Sequence, residues 1–179
     1  MYQISKALPE DKAAIETLLD ICFGPDRFKK TAYRIRESLH PISDLSFVAR
    51  AEEKLLASIQ YWPVLIGGKT KALLLGPIVV SPDLQGQGIG VALIRESLKK
   101  ASEFGHEIII LVGDPEYYER FGFQSAFDAG LSLPGPVEDH RFLVAELSEN
   151  ALKNVSGMVE GDFKSVTCSP ATRRDIKEG

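Results

Sequence analysis

The residues best placed to do chemistry together are Gln85, Gly86, Gln87, Gly88, Ile89, Gly90 and Val91, within the stretch IVVSPDLQGQGIGV at 78–91. A β-branched run, Ile78-Val79-Val80, breaks at Ser81-Pro82-Asp83, passes three alternating glycines and enters a strongly helical segment. A strand that ends in a glycine loop and opens a helix is suited to bind an anion. The first amide N–H groups of the helix have no partner within it, and the helix dipole adds about half a positive charge there. Glycine at 86, 88 and 90 lets phosphates approach the backbone without meeting a Cβ. The chemistry to expect is therefore the holding of a phosphate-bearing ligand. Other reactive types are sparser. Tyr117 and Tyr118, in DPEYYERFGF, are phenols that can donate a proton. Cys22 and Cys168 make neither a disulfide framework nor a metal-ligand spacing, and no metal site is expected. His40, His106 and His140 fall at element ends or in loops, and Glu52-Glu53 in a turn; structural or solvated roles are expected for each.

Elements must position these groups. Residues 2–8 read as a short strand, and Pro9-Glu10-Asp11 as a helix start with two acids at the positive dipole end. Ala14, Ile15, Leu18, Leu19 and Cys22 recur at helical spacing until Gly24-Pro25. A second helical stretch begins near Phe28, carries Ala32, Ile35 and Leu39 on one face, and ends before Pro41. Residues 45–50 and 55–62 read as a hairpin around a charged turn at 51–54. Alternation there puts Leu55, Ala57, Ile59 and Tyr61 on one face, opposite Leu56, Ser58, Gln60 and Trp62. The next strand, 72–80, is interrupted by Gly76-Pro77, which predicts a bulge or a splay of the sheet.

Beyond the glycines, Val91, Ile94, Leu98 and Ala101 form an amphipathic stripe ending at Phe104-Gly105. Residues 107–112, with three consecutive isoleucines, read as a strand buried on both faces, so 72–112 is a right-handed βαβ unit. A short helix runs from Asp114-Pro115 to Arg120, and further strands follow Phe123 and span 141–147. Residues 155–163 are expected to add an edge strand, and 167–179 to form a disordered polar tail. The whole reads as one α/β domain over 1–166, with a central mixed sheet splayed around the βαβ unit and helices on both faces.

Composition narrows the class. A chain of 179 residues with 44% hydrophobic and 26% charged residues can bury a real core. A net charge of −4 with no basic stripe argues against a nucleic-acid partner. The longest apolar runs are too short to span a bilayer, and residues 1–12 lack the apolar core of a signal peptide, so the expectation is a cytoplasmic protein without a membrane partner.

Loop spacing then discriminates among phosphate ligands. A dinucleotide fingerprint, G-x-G-x-x-G, fails because its third glycine falls on Val91 or Leu93, and no Gly-Lys-Ser/Thr closes a P-loop. The pattern Q/R-x-x-G-x-G/A is met at every fixed position by Gln85 through Gly90. One βαβ unit further on, Tyr118-Glu119-Arg120-Phe121-Gly122-Phe123 meets Y-x-x-x-G-F. With both motifs in order, the chain resembles the GNAT superfamily of N-acetyltransferases over residues 2–147. Its segments LVGDPEYYERFGF and ALKNVSG are similar to the YhbS-like branch of that superfamily.

The resemblance implies the GNAT acyl-CoA N-acyltransferase fold and direct acetyl transfer from acetyl-CoA, a cosubstrate, to a primary amine of a small molecule or peptide in a ternary complex. It implies that amides of Gln85, Gly86, Gln87, Gly88, Ile89, Gly90 and Val91 bind the pyrophosphate. Ile78, Val79 and Val80 would pair with the pantetheine arm, with the Val80 N–H or its neighbour as an oxyanion donor. Tyr118 would protonate the departing thiolate, while Tyr117 and Asp114 would line the cofactor, Asp114 also being a candidate helix cap. One departure stands out: the strand at 72–80 carries no Asp or Glu, where many relatives have a carboxylate, so no general base is named. A catalytically silent acyl-CoA-binding regulatory module is the alternative, and a nucleotide-binding regulator preferring ATP or NAD a third. The acceptor pocket is expected between the 23–28 link, the Tyr61-Trp62 strand end and the 127–136 loop, and the acidic balance favours a cationic acceptor. A homodimer is left open.

Overall fold

Among residues 1–165, which the computed structural model describes, the backbone builds β1 (Gln3–Lys6), α1 (Lys12–Phe23), α2 (Thr31–Arg36), β2 (Phe47–Ala51), β3 (Lys54–Ile66), β4 (Thr70–Val80) and α3 (Ile89–Glu103). There follow β5 (Ile108–Val112), α4 (Pro115–Tyr118), β6 (Gln124–Ser125), β7 (Leu131–Ser132), β8 (Phe142–Glu146) and β9 (Gly157–Gly161). The tail expected at 167–179 lies outside the described residues. The strands form one mixed sheet in the order β1-β2-β3-β4-β5-β8-β6, with β9 joining β3 to β7. Pairing is antiparallel except between β4 and β5 and between β7 and β9.

Strand alternation gives the sheet two apolar faces. On one, α1 buries Ile15, Leu18 and Leu19 against Val48 and Val79. On the other, α3 buries Ile89, Leu93, Ile94 and Ala101 against Phe47, Ala57 and Ile59 among others. The triple isoleucine of β5 is fully buried, as its composition requires: Ile108 and Ile110 join one core and Ile109 the other. The start of α1 is tied to the sheet through Asp11, whose carboxylate accepts the Leu8 N–H at 2.8 Å and pairs with Arg50 of β2.

Three expectations change. The second helix is only Thr31–Arg36, because Pro25–Lys29 is a 3-10 turn and Lys30 is extended. That turn is held by Arg27, which folds back onto Asp20 and Glu16 of α1. Second, the register of β2 on β3 passes from Ala49↔Ala57 to Arg50↔Leu55, leaving Leu56 as the extra residue of a bulge. Leu56 therefore packs with Ala57 on the α3 face, while Leu55 contacts the α1 cluster. Third, β3 runs past Trp62 to Ile66, and its second half pairs with β9 through Val64↔Gly161 and Ile66↔Val159. With β7 on its other side, β9 is an interior strand rather than an edge.

The bulge expected at Gly76-Pro77 is present. Ile59 pairs with Ile78 and Tyr61 with Leu75, so two residues of β4 stand opposite Gln60 alone. The splay is also present, and it makes the site. Parallel pairing of β4 with β5 consists of Leu73↔Ile109 and Leu74↔Ile110, whereas β4 stays paired to β3 as far as Val80 and β5 to β8 as far as Val112. Past Leu74 the two halves of the sheet part.

Candidate active site

The parting leaves one edge of Ile78, Val79 and Val80 without a strand beside it. The Ser81 N–H donates to the Leu56 carbonyl at 2.8 Å, which makes Ala57↔Val80 a non-hydrogen-bonded pair. By the alternation of an antiparallel ladder, Val79 exchanges its bonds with Ser58, while the N–H and C=O groups of Ile78 and Val80 point away from β3 into the gap. The Val80 carbonyl accordingly accepts the Gln85 amide at 3.3 Å and the Cys22 thiol at 3.5 Å. The side chains divide the other way. Val79 is buried under α1, and Ile78 and Val80 face the α3 side.

The glycine loop leads directly from this edge to the first turn of α3. Gly86 and Gly88 have φ of 79° and 84°, left-handed values that side-chain-bearing residues adopt at a cost, and a Cβ on either would meet nothing within 4 Å. Open space therefore lies beside amides that the helix leaves unbonded. Gly90 is tighter: a methyl there would come within 3.3 Å of the Tyr117 hydroxyl and 3.5 Å of Val80. Tyr117 thus reaches from α4 across to the junction of β4 and α3. Of the residues named from the sequence as cofactor-lining, Ile78, Val80, Gly90 and Tyr117 come together at the junction of β4 and α3, while the Val79 side chain lies on the other face. Asp114 caps α4, accepting the Glu116 N–H at 3.1 Å.

Tyr118 stands on the β5 side. Its ring lies so close over Gly113 that a Cβ there would overlap it, and it packs edge-on to Tyr117 and Phe123 with centroids 4.9 and 5.9 Å apart. Its hydroxyl has no hydrogen-bond partner among the described residues. Burial, with Tyr117 and Asp114 adding to it and Arg141 opposing, pushes its pKa up to about 12. The phenol is therefore protonated at neutral pH. Beneath it Tyr61 is completely buried, its hydroxyl 2.8 Å from Ser97 Oγ, and its pKa is also pushed up by burial. Burial likewise raises the Cys22 thiol, which disfavours a thiolate nucleophile. Cys168 lies outside the described residues.

On the α1–α2 face a cleft of about 1130 Å³ runs along the sheet to the bulge, where Gln60, Trp62 and Pro77 form its floor. Phe28 and Trp62 line it as expected, but two other expected walls do not. Tyr61 points to the opposite face, because alternation separates it from Trp62. The 127–136 loop instead braces α2 from outside, the Thr31 hydroxyl donating to the Pro136 carbonyl at 2.6 Å. Sequence reasoning passed over Tyr33 and Arg36, which enter this cleft from α2. Lys12, Lys29, Arg34 and Arg36 line it against only Glu16 and Glu37, so its wall is basic although the whole chain carries −4. His40 lies at its rim.

Comparison with known proteins identifies the family and the fold. Residues 12–123 match the profile of the acetyltransferase (GNAT) family. The chain is 31% identical over 155 residues to the protein of Escherichia coli strain K12 named uncharacterized N-acetyltransferase YhbS, covering 86% of this chain and 92% of that protein. The crystal structure of E. coli YhbS in complex with CoA superimposes with a TM-score of 0.78 at 29% identity, over 94% of this chain and 93% of that one. A GNAT family acetyltransferase from Brucella melitensis in complex with acetyl-CoA gives a TM-score of 0.61 at 29% identity, over 90% and 94% of the two chains.

Proposed function

Because the chain belongs to the GNAT acetyltransferase family, we propose that it transfers the acetyl group of acetyl-CoA to a primary amine, directly and within one ternary complex. The observation that carries the proposal is the gap beyond Leu74, where a free strand edge, an open glycine loop and a buried phenol converge. Acetyl-CoA, when bound, supplies an acetyl thioester. Amides of residues 85–91 at the head of α3 hold its pyrophosphate, for which the left-handed Gly86 and Gly88 leave room. The outward N–H and C=O groups of Ile78 and Val80 pair with its amide-bearing arm as a neighbouring strand would. An outward N–H of this edge, that of Ile78 or Val80, donates to the carbonyl oxygen as negative charge builds there; a donor so placed is typically worth roughly 10²–10³ in rate. Tyr118 gives its proton to the departing sulfur. A phenol with a pKa of about 12 gives up a proton less readily than a free one, so it acts as the charge develops on sulfur rather than before. Tyr117 and Gly90 close the opening around the arm.

The acceptor amine enters from the opposite face, through the cleft over Gln60, Trp62 and Pro77. It must arrive neutral to attack. Neither cysteine is assigned an acetyl-carrying role, in keeping with the raised Cys22 thiol. The test is CoA release from acetyl-CoA with a panel of primary amines, for wild type and Tyr118→Phe. Turnover with at least one amine and a kcat lowered about 10²-fold in the variant are expected. Tight acetyl-CoA binding with no turnover on any amine would instead favour a silent binding module.

A further inference from the structure

Arg36 is 8% exposed, and its Nε and Nη1 are sealed from solvent with no hydrogen-bond partner among the described residues. The hydroxyl of Tyr33 is sealed as well, with the Arg36 guanidinium as its polar neighbour and no well-formed hydrogen bond among the described residues. Two aromatic rings cover the guanidinium, Tyr33 at 4.6 Å and Trp62 at 5.8 Å from its central carbon. Ring contact of this kind engages the faces of a guanidinium and leaves its in-plane N–H groups unused. Burial without a counter-charge lowers its pKa to about 10. The chain treats its other buried arginine quite differently: Arg27, 2% exposed, is paired with both Asp20 and Glu16. An enclosed guanidinium facing no carboxylate is costly to keep, and buried charges are as a rule paired.

The position is specific. Arg36 lines the acceptor-side cleft, and its Nη2 stands 2.9 Å from where a Cβ on Gly76 would be. Gly76 lies in the bulge, two positions before Ile78, the first outward-facing residue of the free β4 edge. The guanidinium therefore sits beside the place where the acetyl group would be presented. Other charges on the cleft walls point the same way, with Lys12, Arg34 and a Lys29 paired with Asp26 at 3.2 Å opposed by Glu37 and by a Glu16 bound to Arg27 at 2.9 Å.

We propose that Arg36, with the Tyr33 hydroxyl, binds a carboxylate carried within a few bonds of the reacting amine, so that the acceptor is an α-amino acid or a closely similar amino-carboxylate. This rests on the transferase function proposed above and names its substrate class. The charged N–H groups of Arg36 suit a carboxylate, Nη2 being the nitrogen beside Gly76, and Tyr33 donates a further bond. Holding the carboxylate at Gly76 turns the neighbouring amine toward the gap between β4 and β5.

Two readouts on the full chain separate the outcomes. In the first, initial rates with acetyl-CoA are compared for α-amino acids, their carboxamides and the matching amines without a carboxyl group. Wild type should favour the acid over the amide by about 10–100-fold in kcat/KM, the worth of a charge-assisted pair. Arg36→Met should bring that ratio close to one, and Arg36→Lys should keep part of it. The second readout is fluorescence of Trp62, the sole tryptophan, which lies against Arg36. Amino acids at constant ionic strength should saturate a signal change that carboxamides do not produce and that Arg36→Met loses. Should Arg36→Met fail to fold by circular dichroism, Arg36→Lys and Tyr33→Phe decide, each with a reduced acid-to-amide ratio. Turnover that ignores the carboxylate, or a ratio unchanged in the variants, overturns the carboxylate site while leaving acetyl transfer standing. Saturable carboxylate binding without any turnover overturns the transfer and leaves the site. Neither binding nor turnover removes both.

Discussion

Two residues, Tyr118 beside the gap in the sheet and Arg36 in the cleft, differ in how far the sequence reveals them. Tyr118 could be named because it meets the Y-x-x-x-G-F motif of the family that the chain resembles, four residues before Gly122. Arg36 could not, since an arginine in a helical stretch ordinarily reaches solvent, and only packing against Tyr33, Trp62 and Gly76 encloses it. The pKa of Tyr118 carries a prediction about rate. With the phenol protonated up to about pH 12, the pH profile of kcat/KM should rise with deprotonation of the acceptor amine and show no descending limb of the phenol below pH 10. Steady-state rates from pH 6 to 10 check this, and an alkaline limb near neutrality would remove Tyr118 as the proton donor. Tyr118→Phe should lower the plateau without moving the acid limb.

At the scale of elements, the helix α3 and the strand β4 do the positioning, and each can be disturbed separately. Gly88 precedes α3 with φ of 84°, so Gly88→Ala should cost on the order of 1 kcal/mol and turn the loop amides, raising the KM for acetyl-CoA more than it lowers kcat. Calorimetric titration with acetyl-CoA would detect this as weakened binding. Leu93 is fully buried between α3 and the sheet; Leu93→Ala should lower unfolding stability by about 2–5 kcal/mol, measured by urea denaturation. Helical spacing and the Gly76-Pro77 interruption made α3, β4 and the splay legible in advance. The Leu56 bulge was not, because an unbroken run of apolar residues satisfies either register, and the choice is set by pairing with β2. The shortness of α2 likewise depends on Arg27 reaching back to α1, a contact between distant parts of the chain.

For the molecule as a whole, net charge proved a poor guide to the site: a chain at −4 builds a basic cleft wall, because surface carboxylates set the total and α2 sets the wall. Burial of phenols does have a global consequence. Tyr118 has its pKa raised from 10.0 to about 12, and Tyr61 is also raised, so the folded state holds these protons more tightly than the unfolded chain. Stability they contribute is full below pH 10 and is lost as pH climbs from there toward 12. For Tyr118 alone the loss is roughly 3 kcal/mol, and Tyr118→Phe should flatten the decline in urea-unfolding free energy across that range by about this amount. The most direct test of the central claim is to incubate the protein with acetyl-CoA bearing an isotopically labelled acetyl group and a pool of primary amines, then follow the label by mass spectrometry. Direct transfer predicts label on an amine, one CoA released per acetyl transferred, and an unchanged protein mass. Acetyl-CoA recovered intact with every amine, or label retained on the protein, would contradict it.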